Sequence, residues 1–193
     1  MTTHVFIVDE QSFKVHLEYM FVGTGAQDKD NQDKDIDCNG VTCSNLKPQT
    51  ENGLISMMSD FSRMRIGDYV LFYVQARGKK EGKFYGIYQI NSIPFLEHSG
   101  ESQYLRTLLG KNLTFRALIK PYKVYADGVT EWTALDEIKG INAPNQMQWS
   151  LIYRKLKGNR GNTMITIYEA ERLFNLIKTK NNNSTILGNS YSY

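Results

Sequence analysis

The spacing of apolar residues divides the first part of the chain into a strand and a helix. Val5–Val8 is a short apolar run of the kind found in buried strands. Asp9 follows it as a suitable helix N-cap, and apolar residues then recur at helical spacing from Phe13 to Phe21. The pattern predicts a helix over residues 10–20.

The aromatic-rich segment Gly67–Ile90 is the most strongly patterned part of the chain. Residues 69–75 have apolar or aromatic side chains at both alternating sets of positions, which is typical of a central strand covered on both sides. The next segment, 76–83, predicts a hairpin loop, and 84–90 predicts the returning strand. Gly86 in the middle of that strand indicates a bulge or a close backbone approach.

Apolar spacing also predicts elements on either side of this hairpin. A helix ends near Met64, a short helix is stopped by Gly110, and a strand over 113–119 ends at Pro121. The Asp127-Gly128 pair then predicts a turn. The helix before the hairpin is defined by five apolar positions, which we expect to pack in the core: Leu54, Met57, Met58, Phe61 and Met64.

A capping box marks the start of the last helix, because the Thr166 hydroxyl can accept from the N3 amide while Glu169 reaches back to the cap. After Lys178 the chain becomes rich in Asn and Ser, a composition typical of a tail or linker. We therefore predict a single domain over 1–180 and a polar tail or linker over 181–193. The expected buried stripe of the last helix is Ile167, Ala170, Leu173, Phe174 and Ile177.

Charge is distributed unevenly along the chain, whose formal net charge is +3. A long polar loop is predicted over 23–50, and loops of this length are often functional. Within it, residues 28–37 are net acidic, whereas 154–160 carry four positive charges and no negative one. This asymmetry permits an anionic partner.

Composition places the chain among globular proteins. It has 193 residues, of which 41% are hydrophobic and 12% aromatic, enough to form a core. No apolar run approaches the roughly 20 residues needed to cross a bilayer. The N-terminus shows no signal-peptide pattern, and Cys38 and Cys43 lie in a polar stretch, which favours a reducing compartment. We expect a cytoplasmic protein with no membrane partner.

The motifs of common enzymes are missing from the sequence. His4, His16 and His98 lack metal-ligand spacing, and residues 28–37 lack the glycine and distal glutamate of a calcium loop. There is no phosphate-binding loop and no nucleophile elbow. We predict a protein that is not an enzyme and that has no cofactor and no metal. The alternative is a small hydrolase that uses Asp9, Glu10 and the 23–50 loop.

Aromatic and basic side chains are the remaining candidates for chemistry. Aromatic rings near Arg and Lys suit base stacking and phosphate contacts. Most aromatic side chains are expected in the core, but Trp149 lies among Gly, Pro and Asn residues just before the basic cluster. The aromatic candidates are Phe21, Tyr73, Tyr85, Trp132 and Trp149, and the basic ones are Arg154, Lys155, Lys157 and Arg160.

The order of these segments resembles the EVE and YTH branch of the PUA-like superfamily. The similarity covers most of residues 4–178, and its strongest parts are the Gly-Asp…Phe-Tyr-Gly hairpin and the strand that ends at Lys120-Pro121. The resemblance implies an α+β fold, a curved β-barrel-like sheet flanked by helices. It also implies a module that holds one base, often a methylated one, in an aromatic cage. Some members are fused to nucleases or to ATPases of modification-dependent restriction systems.

The resemblance also implies a set of site residues. Members place a tryptophan after the first helix, where this chain has Met20–Thr24 and no tryptophan. The expected base-binding pocket consists of Asp9, Glu10, Phe21, Gly23, Thr24, Tyr73, Tyr85 and Trp149, and the expected backbone contacts are Arg154, Lys155, Lys157 and Arg160.

We therefore predict a non-catalytic nucleic-acid-binding module that holds a single base, methylated or not, taken from a single strand or flipped from a duplex. The sequence leaves open whether the partner is DNA or RNA. An alternative is a targeting or interaction module of a modification-dependent restriction or defence protein, with a fused or associated nuclease or ATPase.

Overall fold

The protein folds around a curled sheet with helices on both of its faces. The structure, a computed structural model, describes residues 1–25, 55, 58–75, 81–97, 102–135 and 161–186. Within these ranges the helices are α1 (Glu10–Glu18), α2 (Arg106–Leu109), α3 (Glu131–Leu135) and α4 (Ile167–Lys180), and residues 58–62 are also helical. The strands are β1 (Thr3–Val8), β2 (Phe21–Thr24), β3 (Tyr69–Val74), β4 (Lys83–Ile90), β5 (Phe95–Leu96), β6 (Phe115–Pro121), β7 (Val129–Thr130) and β8 (Asn162–Ile165). The predicted α+β class is confirmed.

The sheet has the strand order β2-β6-β4-β3-β1-β8, with β5 added to β6 and β7 added to β4. The central strands β1 and β3 run parallel, in register from Thr3↔Tyr69 to Val8↔Val74. β8 pairs antiparallel with β1, and β4 pairs antiparallel with β3. The parallel pair therefore brings the carboxyl ends of β1 and β3 to the same end of the sheet.

Both faces of β3 are covered by apolar side chains, as the hairpin pattern predicts. Phe72 lies in a core cluster with Phe6 and with Phe13 of α1. On the other face, Leu71 and Tyr73 pack in a second cluster that includes residues of α4. The sheet therefore separates two cores, one beneath α1 and one beneath α4.

The predicted helix boundaries are close to those of the structure. Asp9 is the N-cap of α1 and accepts the Ser12 amide at 2.7 Å. The helix ends at Glu18 rather than at residue 20, and Met20 has a left-handed φ of 48°, which ends the helical path. The capping box formed by Thr166 and Glu169 is present at the start of α4.

Two predicted apolar positions are not buried. Ile167 was expected in the buried stripe of α4, yet 71% of its surface is exposed at the first position of the helix. Met58 is 46% exposed, whereas Phe61 and Met64 from the same predicted helix are buried. Leu54 and Met57 lie outside the described residues.

The predicted irregularity at Gly86 is confirmed. The register of β3 and β4 shifts between Val70 and Leu71, directly across from this glycine. A Cβ atom at Gly86 would overlap the end of the Leu71 side chain, so the two strands approach closely at this glycine.

The chain remains attached to the domain beyond the predicted boundary at residue 180. The Asn181 side chain accepts from the Asp127 amide and donates to the Asp127 carbonyl, each at 2.9 Å. The Ile186 amide donates to the Val124 carbonyl at 2.9 Å, and the Ile186 side chain packs against the core beneath α1. Residues 181–186 are therefore part of the domain, and 187–193 lie outside the described residues.

We predict that His16 makes the protein acid-sensitive. Burial, together with the nearby Lys111, lowers the pKa of His16 to about 3, whereas an unfolded histidine has its ordinary pKa of 6.5. As pH falls below 6.5 the unfolded state binds a proton that the folded state excludes, so stability is lost between pH 6.5 and about 3. From pH 7 to pH 5 the free energy of unfolding should fall by roughly 2 kcal/mol from this group.

Urea denaturation of the wild type and of His16→Phe at both pH values measures this loss. A phenylalanine ring at this position keeps the ring contacts that His16 makes with Phe21 and with Phe72, but it cannot titrate. The variant should therefore lose less stability on acidification than the wild type. Equal losses in the two proteins would show that another group causes the acid sensitivity.

Candidate functional site

The two edge strands of the sheet meet at one end of the molecule. Thr24, the last residue of β2, lies against Gly161, which precedes β8, so closely that a Cβ atom at Gly161 would overlap the Thr24 hydroxyl. The Ile7 amide donates to the Gly161 carbonyl at 2.9 Å, and the Gln75 amide donates to the Val8 carbonyl at 2.8 Å. The ends of β1, β2 and β3 and the start of β8 thus lie together, and we call this region the strand-end site.

Asp9 anchors α1 at the strand-end site. Its carboxylate accepts the Ser12 amide through one oxygen and the Lys111 ammonium through the other, the latter at 2.6 Å. Burial raises the pKa of Asp9, but the hydrogen bonds from Lys111 and Ser12 outweigh that effect and hold the pKa below its usual range. Asp9 is therefore an ionised acceptor with both oxygens engaged, and Glu10 beside it is exposed in the first turn of the helix.

Tyr85 is the predicted aromatic residue that the structure places near α1. It is half-buried, and its ring lies 5.0 Å from that of Phe13, measured between centroids. Tyr85 pairs with Phe72 across the hairpin, so its side chain is on the α1 face of the sheet. Tyr85 therefore packs against α1, the helix that Asp9 caps.

Tyr73 does not lie on the α1 face of the sheet. It pairs with Phe84, and successive residues of a strand point to opposite faces, so Tyr73 lies on the α4 face while Tyr85 lies on the α1 face. Its side chain is 4% exposed, and its hydroxyl hydrogen-bonds the Glu131 carboxylate. A pocket that contains both Tyr73 and Tyr85 is therefore excluded by the register of the hairpin.

Phe21 and Gly23 pack β2 against the neighbouring elements α1 and β6. Phe21 is 3% exposed, with its ring 4.6 Å from that of His16 and 5.1 Å from the Arg116 guanidinium. A Cβ atom at Gly23 would come within 3.1 Å of the Phe115 carbonyl oxygen, so β6 leaves little room for a side chain there. In this structure Phe21 is a buried ring and offers no open face for stacking.

Two asparagines that the sequence pattern missed lie beside these residues. Asn162 follows Gly161 and is 1% exposed, and Asn112 follows Lys111 and is 4% exposed. In the part of the chain that the structure describes, neither side-chain amide has a hydrogen-bond partner. The buried Ser12 hydroxyl likewise has no hydrogen-bond partner among the described residues.

Unpartnered buried amides are unusual, because each costs roughly 1–3 kcal/mol of desolvation without a compensating bond. Such groups indicate a place where a ligand or water completes the hydrogen bonds. Sequence alone gives no signal for them, since an asparagine beside a glycine or at a loop end is typical of any turn.

Five predicted site residues lie outside the described residues: Trp149, Arg154, Lys155, Lys157 and Arg160. Arg160 directly precedes Gly161 in the chain, so the basic cluster is covalently joined to the strand-end site. Trp132, the other candidate tryptophan, lies on α3 and is 51% exposed. The acidic run 28–37, Cys38, Cys43 and His98 also lie outside the described residues.

The described ranges show neither a cluster of metal-ligating side chains nor a membrane-spanning helix. Those ranges contain no group of three or more His, Cys, Asp or Glu side chains able to hold a metal ion. None of the helices in the same ranges combines the length and the apolar character that a bilayer-spanning helix needs.

Comparison with known proteins identifies the fold. No protein-family model matches the sequence, and no curated protein matches it. Among solved structures, human THYN1 in complex with 5-methylcytosine-containing DNA superposes with a TM-score of 0.56 at 6% identity, covering 92% of this chain and 98% of THYN1.

Two further solved structures superpose over nearly the whole chain. A hypothetical protein from Leishmania major gives a TM-score of 0.54 at 10% identity, with 93% and 96% of the two chains covered. A Pseudomonas putida protein gives 0.50 at 9% identity, with 90% and 98% covered. The resemblance inferred from the order of segments is confirmed at the level of fold, and the chain has an α+β fold of the PUA-like kind that it shares with these structures.

Proposed function

We propose that this chain is a non-catalytic nucleic-acid-binding module that holds a single base at the strand-end site. The observation that carries the proposal is the pair of buried, unpartnered amides of Asn112 and Asn162 beside the junction of Thr24 with Gly161. A nucleobase edge carries donors and acceptors in a plane, and an asparagine amide can satisfy one of each at once.

The fold supports the same proposal. Human THYN1, which superposes over 92% of this chain, was solved in complex with DNA that contains 5-methylcytosine. We extend that kind of ligand, a base in a nucleic-acid strand, to this chain. A methyl group on the base would add roughly 0.8 kcal/mol if it were fully buried, which is too little to make binding strictly dependent on methylation.

Within this proposal each site residue has a role. Tyr85 provides an aromatic wall on the α1 face, and Asn162 and Asn112 contact the edge of the base. The sequence assigns base stacking to Trp149 and phosphate contacts to the basic cluster 154–160. Asp9 positions α1 and Lys111, and its carboxylate, which is 43% exposed and has acceptor sites left, accepts from the base.

Replacing Asn162 by leucine should separate binding from folding. A leucine of similar volume removes a buried amide that the protein does not satisfy, so the free energy of unfolding should stay the same or rise. Affinity for the preferred oligonucleotide should fall roughly tenfold, equivalent to one lost hydrogen bond. Fluorescence anisotropy with single- and double-stranded DNA and RNA, methylated and unmethylated, measures the binding.

Asn91→Leu is the matched control, because Asn91 is exposed in the loop after β4. The control should bind like the wild type. Destabilisation of Asn162→Leu together with unchanged affinity would show that Asn162 is structural and would contradict its role at the base edge.

The two tryptophans allow a second test of the site. Trp149→Ala should weaken oligonucleotide binding by about 1–3 kcal/mol, the value of one stacked base, without changing the salt dependence. Trp132→Ala, which removes a half-exposed ring on α3, should have no effect. Substituting Arg154 or Lys155 by alanine should instead reduce the slope of log affinity against log salt by about one each.

Titrations at several salt concentrations distinguish these effects. If Trp149→Ala and Trp132→Ala bind equally well, the aromatic wall lies elsewhere. If the salt slope of the wild type is unchanged in both basic-cluster variants, the phosphate contacts assigned to 154–160 are wrong.

A further inference from the structure

A second candidate site lies far from the strand-end site. A groove with a cavity of about 490 Å³ opens between α4 and the start of the sheet, where Thr3 and Tyr69 line it. These two residues begin β1 and β3, whereas the strand-end site is at the other end of the same strands. Six residues of extended chain span roughly 20 Å, and Tyr69 belongs to the α4 face, so the two sites share no residue.

Three aromatic rings from separate segments converge on the groove. The Tyr69 and Tyr122 rings lie 5.3 Å apart at 42°, and the Tyr69 and Phe174 rings lie 5.5 Å apart at 84°. Tyr122 is 37% exposed, so part of this aromatic surface remains open. Rings held at mutual angles present both faces and edges, which are the surfaces that bind a flat aromatic molecule.

The charges around the groove favour an anion. The Lys123 ammonium lies over the Tyr122 ring, 5.3 Å from its centroid, and Lys178 lines the groove from the last turn of α4. Glu171 is the acidic residue among the described lining residues, which leaves an excess of one positive charge. A ligand with a flat ring and a negative group would match both the rings and the lysines.

Exposed apolar side chains border the same groove. Met1 is 81% exposed and Ile167 is 71% exposed, and both line it. Ile167 is the residue that the helix pattern predicted to be buried. A bound ligand would cover apolar surface that the fold itself leaves open.

We propose that this groove binds an aromatic ring that carries a phosphate, the chemistry of a nucleoside monophosphate, either free or as one unit of a single strand. The cavity volume is within the roughly 300–1,000 Å³ range of small-molecule sites. Stacking on the exposed part of the Tyr122 ring holds the base, and Lys123 and Lys178 hold the phosphate. The proposal stands independently of the function proposed for the strand-end site.

Isothermal titration calorimetry with the four ribonucleoside monophosphates, the matching nucleosides and inorganic phosphate tests the proposal. At least one monophosphate should bind more tightly than its nucleoside, and phosphate alone should bind more weakly than either. Tyr122→Ala should weaken both monophosphate and nucleoside at least tenfold. Lys123→Glu should weaken the monophosphate more than the nucleoside, because it removes the charge contact and keeps the rings.

Tyr104→Ala and Lys14→Glu are the matched controls, since both residues are exposed and neither lines the groove. They should bind like the wild type, and thermal unfolding should show all four variants folded.

The source of the ligand follows from a fourth titrant, a short single-stranded oligonucleotide. Tight binding of the oligonucleotide that is lost in Tyr122→Ala assigns the groove to a strand, whereas tight binding of the monophosphate alone assigns it to a free nucleotide. The proposal is overturned if no nucleotide binds the wild type at roughly millimolar concentration, or if binding is the same in Tyr122→Ala and Lys123→Glu as in the controls.

Discussion

The parallel pairing of β1 with β3 determines where each candidate group lies. Its register, from Thr3↔Tyr69 to Val8↔Val74, places the carboxyl ends of both strands together and their amino ends together. The first end holds the strand-end site and the second holds the groove beneath α4. Because side chains alternate along each strand, the same register assigns each aromatic residue of the hairpin to one core or the other.

Buried polar groups near the strand-end site differ in whether the described residues supply their hydrogen-bond partners. Arg116 is 2% exposed, yet its guanidinium donates to the Leu113 and Tyr104 carbonyls and to the Gln103 side chain. The amides of Asn112 and Asn162, buried to a similar degree, have no such partners among the described residues. Among the described residues, the fold thus supplies partners to a buried guanidinium and leaves the two smaller amides with unused hydrogen-bonding capacity.

Local signals in the sequence predicted the parts of the fold that depend on neighbouring residues. The Asp9 cap and the Thr166 capping box were predicted correctly because both are contacts within four residues. The faces of Tyr73 and Tyr85 could not be assigned, because they depend on a hairpin register that shifts at Val70/Leu71. The burial of Phe21 and the unpartnered amide of Asn162 depend on which strands become neighbours. A single sequence does not show this long-range pairing.

Packing at the strand-end site restricts the residues at which two long segments of the chain join the sheet. Gly25 precedes the long polar segment of the sequence, and a Cβ atom there would approach the Asn112 carbonyl oxygen to 2.6 Å. Gly161 follows the segment that contains Trp149 and the basic cluster, and it has no room for a side chain against Thr24. Both segments are thus joined to the scaffold through glycines that its packing requires. The scaffold thus restricts the residue type at the point where each segment joins it.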